Sequence, residues 1–218
     1  MLITFSGLDG SGKSTLAERL RESLERRNQP VSVFHMYYDV GLLACARAVV
    51  KRIGGRGSEP ETGREHAPRQ EGRRTVKSRL KHALAWNKSL RLCVYPFDLV
   101  IFLCYRLYIE KVRGRVLIMD RYFYDTLVDV AEGRVKARGV RLLSRLTPQP
   151  TVPVFVDISP EEAFARKGEH SVDYLSRRRV SYQKLFPQNG GAVVLAGGDD
   201  LKATHSRLEQ IVLERMTA

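Results

Sequence analysis

Hydrophobic positions along the chain alternate between two rhythms. Leu2-Ile3-Thr4-Phe5 is a short apolar run closed by Ser6-Gly7, the pattern of a buried strand. After a glycine-rich turn, Leu16, Ala17, Leu20 and Leu24 recur at helical spacing with Arg and Glu between them, and Asn28-Gln29-Pro30 stops the pattern. Val31-Ser32-Val33-Phe34 predicts a second strand, and Gly41 to Ile53 a helix with Leu42, Leu43, Ala46, Val49 and Val50 inward. From Gly54 to Arg74 the chain is rich in Gly, Pro, Glu and Arg, with Ala67 as the sole apolar residue. Such a stretch cannot offset its ordering entropy by burial, so residues 54–74 are expected to form a mobile loop. Helical stretches are predicted at about Val76 to Val94 and Phe97 to Val112, separated by Pro96. Further strands are predicted at Arg115–Asp120, Val152–Asp157 and Ala192–Ala196; Pro153 cannot donate to a ladder, so pairing there should begin after it. Leu201, Leu208, Ile211 and Val212 set a last helix against the sheet. The alternation predicts an α/β fold, a five-stranded parallel sheet flanked by helices, in one domain over 1–218.

Composition narrows this picture little. A length of 218 residues suits one domain with a full core. Cys45, Cys93 and Cys104 lack C-x-x-C spacing and sit among apolar neighbours, which predicts reduced thiols of a cytoplasmic protein. The histidines are scattered, with no zinc-like spacing. Met1 runs straight into the first strand, with no signal-peptide pattern. The most apolar stretch, Leu99 to Tyr105, is far shorter than the roughly 20 residues a membrane span needs. The formal charge of +13 fits an anionic partner, and equally an Arg-rich composition concentrated in one loop.

Candidate chemistry starts at the turn after the first strand. Gly7, Gly12, Lys13 and Ser14 satisfy G-x-x-x-x-G-K-S, with a strand before and a helix after. In such a P-loop, Gly7, Gly10, Ser11, Gly12, Lys13, Ser14 and Thr15 surround the phosphates of a nucleoside triphosphate such as ATP. Backbone N–H groups curl around the anion, the lysine reaches the β- and γ-phosphates, and the Ser14 hydroxyl is a Mg2+ ligand. The GTPase tetrapeptide N-K-x-D is absent, since Asn87-Lys88 continues as Ser89-Leu90. A short chain opening on this loop points to a small-molecule kinase, and nucleic acid is not expected as a partner.

Beyond this loop the sequence resembles the thymidylate kinase family over most of the chain except about residues 37–90. Gly7 to Thr15 reproduce the family's G-x-D-G-x-G-K-S-T, including Asp9. Phe102-Leu103-Cys104-Tyr105-Arg106 keeps the aromatic and the arginine of F-x-A-x-R, and Asp120-Arg121-Tyr122 matches D-R-Y. Pro148-Gln149-Pro150-Thr151 echoes P-D-x-T, Asp157 to Ala163 match D-x-S-P-E-E-A, and Tyr174, Arg179 and Tyr182 echo F-x-x-x-x-R-x-x-Y. The resemblance implies that Arg106 and Arg121 hold the acceptor nucleotide's phosphate and Phe102 stacks on its base, with Tyr122 beside them. It places Asp9 near the acceptor sugar and the transferred phosphate. Asp120, at a strand end beside the P-loop, is positioned to order magnesium and its waters. Taken alone, Arg106 also reads as a solvated helix arginine, and Asp120-Arg121 as a strand-end ion pair.

Transfer needs a further cation on the γ-phosphate, and no basic residue stands among Leu8 to Ser11. A lid at about 164–178 is expected to supply it, with Arg166 as the catalytic cation and Lys167, Arg177 and Arg178 beside it; a solvated basic helix face is the other reading. Three departures from the family stand out. Ser6 replaces the usual glutamate, and His35-Met36-Tyr37-Tyr38-Asp39 replaces R-E-P-G-G. After D-R-Y, Asp125 and Asp129 bring carboxylates to the expected acceptor side, where the family has a serine and then A-Y-Q. The expected reaction is transfer from Mg-ATP to dTMP, giving dTDP. The alternatives are a thymidylate-kinase-like enzyme acting on a sugar or glycan intermediate, and a nucleotide-dependent binding or regulatory protein. The family habit and the apolar helix near Phe97–Leu107 suggest a homodimer.

Overall fold

Strand alternation has its structural counterpart in a sheet that a computed structural model describes through residues 1–35, 88–131, 138–186, 191–197 and 200–217. The elements are β1 (Leu2–Gly7), α1 (Lys13–Arg26), β2 (Val31–His35), α2 (Lys88–Leu107) continued by a π-helical turn (Tyr108–Val112), and β3 (Val116–Asp120). Then come α3 (Phe123–Ala131), α4 (Arg138–Leu146), β4 (Val152–Asp157), α5 (Pro160–Lys167), α6 (Val172–Leu185), β5 (Val193–Ala196) and α7 (Leu201–Thr217). The strands form one five-stranded sheet in the order β2-β3-β1-β4-β5, and every pair is parallel. The expected helix Gly41–Ile53, the expected loop 54–74 and the start of the stretch from Val76 lie outside the described residues.

Alternation along the strands divides the core in two. Leu2, Leu117, Met119 and Phe155 face one side, where they meet Tyr95, Phe102, Tyr122, Phe123, Tyr124, Tyr182 and Phe186. Ile3, Phe5, Val116, Ile118, Val152, Val154 and Val156 face the other, against Leu16, Leu20 and Leu24 of α1 and Leu208 and Val212 of α7. One core is rich in aromatic rings at edge-on angles, and the other is aliphatic apart from Phe5.

Two expectations about proline are corrected. Pro96 does not separate two helices: α2 runs through it from Lys88 to Leu107. An interior proline costs roughly 3 kcal/mol of helix stability. Burial of Tyr95, Leu99 and Phe102 on one stripe of that helix works in the opposite direction, at about 1.5–3 kcal/mol per fully buried large apolar side chain. Pro153 is likewise inside β4, opposite Thr4 of β1. Because β5 pairs only from Val154 onward, β4 is an edge on that flank at Pro153, the setting in which a strand tolerates a missing donor.

The run Asp157–Ala163 folds as a strand exit and a helix start. Ser159 caps α5 by accepting the Glu162 N–H at 3.2 Å, Pro160 takes the first turn, and Gly168 ends the helix in the left-handed region. No helix among the described residues is long and apolar enough to cross a membrane.

Candidate active site

The carboxyl end of β1 opens into the glycine loop, and the first turn of α1 carries Lys13, Ser14 and Thr15. Lys13 folds back into this loop: its Nζ donates to the carbonyls of Gly7 at 3.1 Å and Leu8 at 2.5 Å, and to Ser11 Oγ at 3.2 Å. Burial pulls its ammonium down to about 8; Asp125, Asp9 and Asp120 oppose the shift, and Arg121 adds to it. The loop is therefore a cage of carbonyls around a cation that has little solvent to leave for.

Ser14 Oγ donates to Asp120 Oδ2 at 2.5 Å, and His35 Nε2 lies 3.4 Å from the same oxygen, since His35 and Asp120 are in register on adjacent strands. Asp120 is buried, and its Oδ1 has no hydrogen-bond partner. An orphaned carboxylate oxygen beside a P-loop hydroxyl is a donor set that fits a hard divalent cation.

Asp9 sits across the loop, paired with Arg121 and 3.9 Å from His170 Nε2. Burial alone would raise its carboxyl, but Arg121 and then Lys13, Arg178 and Lys167 outweigh that and hold it below the usual range. Arg121 adopts φ 70°, a left-handed conformation costly for a bulky residue. Its backbone N–H donates to Phe5 O at 3.0 Å, so the turn leaving β3 is tied to β1 next to the loop.

A cleft of about 400 Å³ joins these groups. The P-loop and the start of α1 form one wall, Asp120 and Arg121 a second, and Arg166 and Lys167 of α5 a third. Close approach of α5 to the loop depends on Gly10: a Cβ there would stand 2.9 Å from Ala163 O and 3.5 Å from Arg166 Cβ. Lys167 Nζ lies 3.2 Å from Glu169 Oε1. The segment 164–178, where a lid is expected, spans the end of α5 and the start of α6, two packed helices joined by Gly168 to Ser171.

Other expected site residues are placed elsewhere. Arg177 is exposed on α6 and does not line the cleft. Arg178 is part-buried and turned inward rather than poised over phosphate: it pairs with Asp129, donates to Tyr174 Oη at 2.9 Å and Tyr182 Oη at 3.2 Å, and lies over both rings. Asp125, expected at the acceptor, is fully buried with both oxygens occupied. Oδ2 accepts from Ser6 Oγ at 2.7 Å and the Tyr122 N–H at 2.9 Å, and Oδ1 accepts from Tyr182 Oη at 2.7 Å. Phe102 has no exposed surface, its ring packing edge-on against Tyr122 and Phe123. Tyr122 is buried as well, its hydroxyl donating to Pro148 O at 2.6 Å. Arg106 is part-buried, with Nε donating to Glu110 Oε2 at 3.0 Å. Arg179 grips Asp157 through two bonds of 2.7 and 3.0 Å, fixing α6 to the end of β4. Nothing in local spacing signals the Asp125–Tyr182 contact, because the partners are 57 residues apart.

No family model matches the chain. It is 22% identical over 189 aligned residues to a probable thymidylate kinase of Methanosphaera stadtmanae, covering 85% of this chain and 83% of the relative. It is 27% identical over 181 residues to a thymidylate kinase of Mycoplasmopsis agalactiae, covering 77% and 68%. With a thymidylate kinase of Chlorobium limicola the identity is 26% over 238 aligned positions, covering 99% and 95%.

Proposed function

We propose that this chain, a divergent relative of the thymidylate kinases and so a kinase, transfers the γ-phosphate of Mg-ATP to a nucleoside monophosphate, with dTMP the first candidate. The observation that carries the reading is the single cleft walled by the P-loop, by Asp120 and Arg121, and by Arg166 and Lys167. The loop N–H groups and Lys13 bind the triphosphate, which replaces the carbonyls that now hold the ammonium. Ser14 and Asp120 would hold magnesium, which would supply positive charge to offset that of the phosphates. Arg166 meets the charge that develops on the transferred group, since no basic residue stands among Leu8 to Ser11 to do so. Arg121 takes the acceptor phosphate, which must compete with Asp9 for the guanidinium.

One observation favours a second reading, an acceptor without a base. Phe102 and Tyr122 are buried, so neither offers an open ring face for stacking in this conformation. ADP release measured over a panel of dTMP, other nucleoside monophosphates and sugars decides between the readings. Transfer dependent on a nucleoside monophosphate, and lost in a folded Lys13→Ala protein, is the expected result. Turnover with a sugar alone favours the second reading. No acceptor-dependent turnover leaves a nucleotide-binding regulatory protein. A homodimer is part of the proposal, supported by Phe97, Val100, Leu107 and Val112, which lie exposed along α2 and its π-helical turn. A monomeric mass by light scattering would remove it.

A further inference from the structure

Asp125 stands at the centre of a buried polar chain for which the reaction described above has no use. Ser6, one residue before the P-loop glycine, donates to it from β1, and Tyr182 donates to it from α6. The Tyr182 hydroxyl also accepts from Arg178, which is bound in turn to Tyr174 and Asp129. Asp125 and Tyr182 are fully buried, and Arg178 is nearly so, its side chain 10% exposed. Buried polar groups of this kind fix geometry, because any displacement leaves a donor or acceptor unpaired in a low-dielectric interior. The chain closes a circuit. From Ser6 it runs through Asp125 and Tyr182 into α6, which packs on α5, and α5 returns to the loop where Arg166 approaches Gly10. Both ends of the circuit therefore lie on the same phosphate loop.

We propose that Asp125 and Tyr182 are positioning residues for phosphoryl transfer: they lock α6, and through it α5, to the strand that delivers the P-loop, and so set Arg166 over the triphosphate. This rests on the reading of Arg166 as the catalytic cation. Neither residue touches substrate. The Arg179–Asp157 pair anchors α6 independently, so the relay trims the helix position and is not its sole support.

Tyr182→Phe is the mildest test, since it keeps the ring and removes one O–H. It leaves Asp125 Oδ1 without its donor and Arg178 Nη2 without that acceptor. The expected result is a kcat about tenfold lower with KM for ATP within about twofold, the mark of an interaction felt in the transition state. A purely structural role would add its loss to that of Arg166→Ala. Positioning through Arg166 instead makes the losses non-additive, so the double variant should be no slower than about twofold below Arg166→Ala. Multiplied losses, or a Tyr182→Phe enzyme with wild-type kcat, overturn the proposal. If no acceptor supports turnover in the wild type, the proposed function fails, and hydrogen exchange decides the relay. Residues 160–167 should then exchange faster in Tyr182→Phe than in wild type, and unchanged rates there overturn the relay by themselves. Asp125→Asn, where it folds, should follow Tyr182→Phe in each readout.

Discussion

Gly10 and Gly12 offer a matched pair of substitutions in which one contact is the only local difference. Both have φ 87°, so alanine at either is forced into the left-handed region at a cost of about 1–2 kcal/mol. Around a Cβ at Gly12 there is nothing within 4 Å. At Gly10 the new methyl would stand 2.9 Å from the carbonyl oxygen of Ala163 and 3.5 Å from Arg166 Cβ. The first atom is helix backbone, so relief requires α5 to move away from the loop. Forcing a methyl into packed surroundings costs roughly a further 1–3 kcal/mol. Gly12→Ala should therefore lower stability by about 1–2 kcal/mol and Gly10→Ala by about 2–5 kcal/mol. At roughly 2–4 °C per kcal/mol for a chain of this size, the two melting temperatures should separate by on the order of 2–12 °C. Thermal unfolding of the free proteins, followed by circular dichroism at one scan rate, reads that separation directly. Equal melting temperatures would show that α5 does not rest on the P-loop in solution, and would remove the structural basis for Arg166 as the cation over the cleft.

Other expected outcomes follow from the charges around the loop. Burial pulls Lys13 down to about 8, so at that pH about half of the free protein lacks this proton; bound triphosphate favours the charged form, so nucleotide binding near pH 8 should take up about half a proton, readable by calorimetry in two buffers. The unfolded chain holds the same proton up to the ordinary lysine value of 10.5, so Lys13 makes the free protein gain stability as pH rises from about 8 through that window, and a Lys13→Met protein should lack this slope. Arg166→Ala should lower kcat on the order of a hundredfold with little change in ATP affinity. Arg178→Ala should instead destabilise by about 1–3 kcal/mol in denaturant titrations, because it removes the ion pair with part-buried Asp129 and the bonds to the Tyr174 and Tyr182 hydroxyls. Asp9→Asn releases Arg121 from its carboxylate, so the acceptor should bind several-fold tighter while transfer collapses, and weaker binding would mean that Asp9 holds the acceptor directly.

The order of elements was legible because each strand carries its own apolar run and each of these helices its own stripe. Leu16, Leu20 and Leu24 face the aliphatic core as their spacing predicts, and the Ser159-Pro160-Glu161-Glu162 start of α5 is local chemistry. The two prolines misled because proline's local cost is fixed while the compensation is tertiary. Nothing near Pro96 tells that Tyr95, Leu99 and Phe102 will be buried together, and nothing near Pro153 tells that β5 begins its pairing one residue later. In the site, the P-loop and its partner Asp120 were legible from spacing and a strand end. The segment expected to act as a lid showed only a density of arginines, which does not distinguish Arg166 at the cleft from part-buried Arg178 on α6.

Asp125 shows why charge at the acceptor side was the hardest property to read. In sequence, two carboxylates after D-R-Y look like added negative charge, because the groups that absorb it are distant in the chain. In the structure Asp125 is held by Ser6, at the position where the family usually carries a glutamate, while Asp125 itself stands where the family has a serine. The β1–α3 contact in this chain thus joins one carboxylate and one hydroxyl, and Asp125 turns inward to Ser6 instead of adding charge to the cleft. Asp129 is likewise matched by Arg178, and the Tyr174 and Tyr182 hydroxyls accept from the same guanidinium. Asp9 pairs with Arg121, and Glu110 with Arg106. Among the described residues, Asp9, Glu110 and Asp129 are each matched to an arginine and Asp125 to hydroxyl and N–H donors. On the proposed function, an acceptor phosphate at Arg121 or Arg106 would bind by exchange, displacing Asp9 or Glu110 from the guanidinium. Such a site yields a modest gain per contact and discriminates strongly against acceptors too weakly charged to compete.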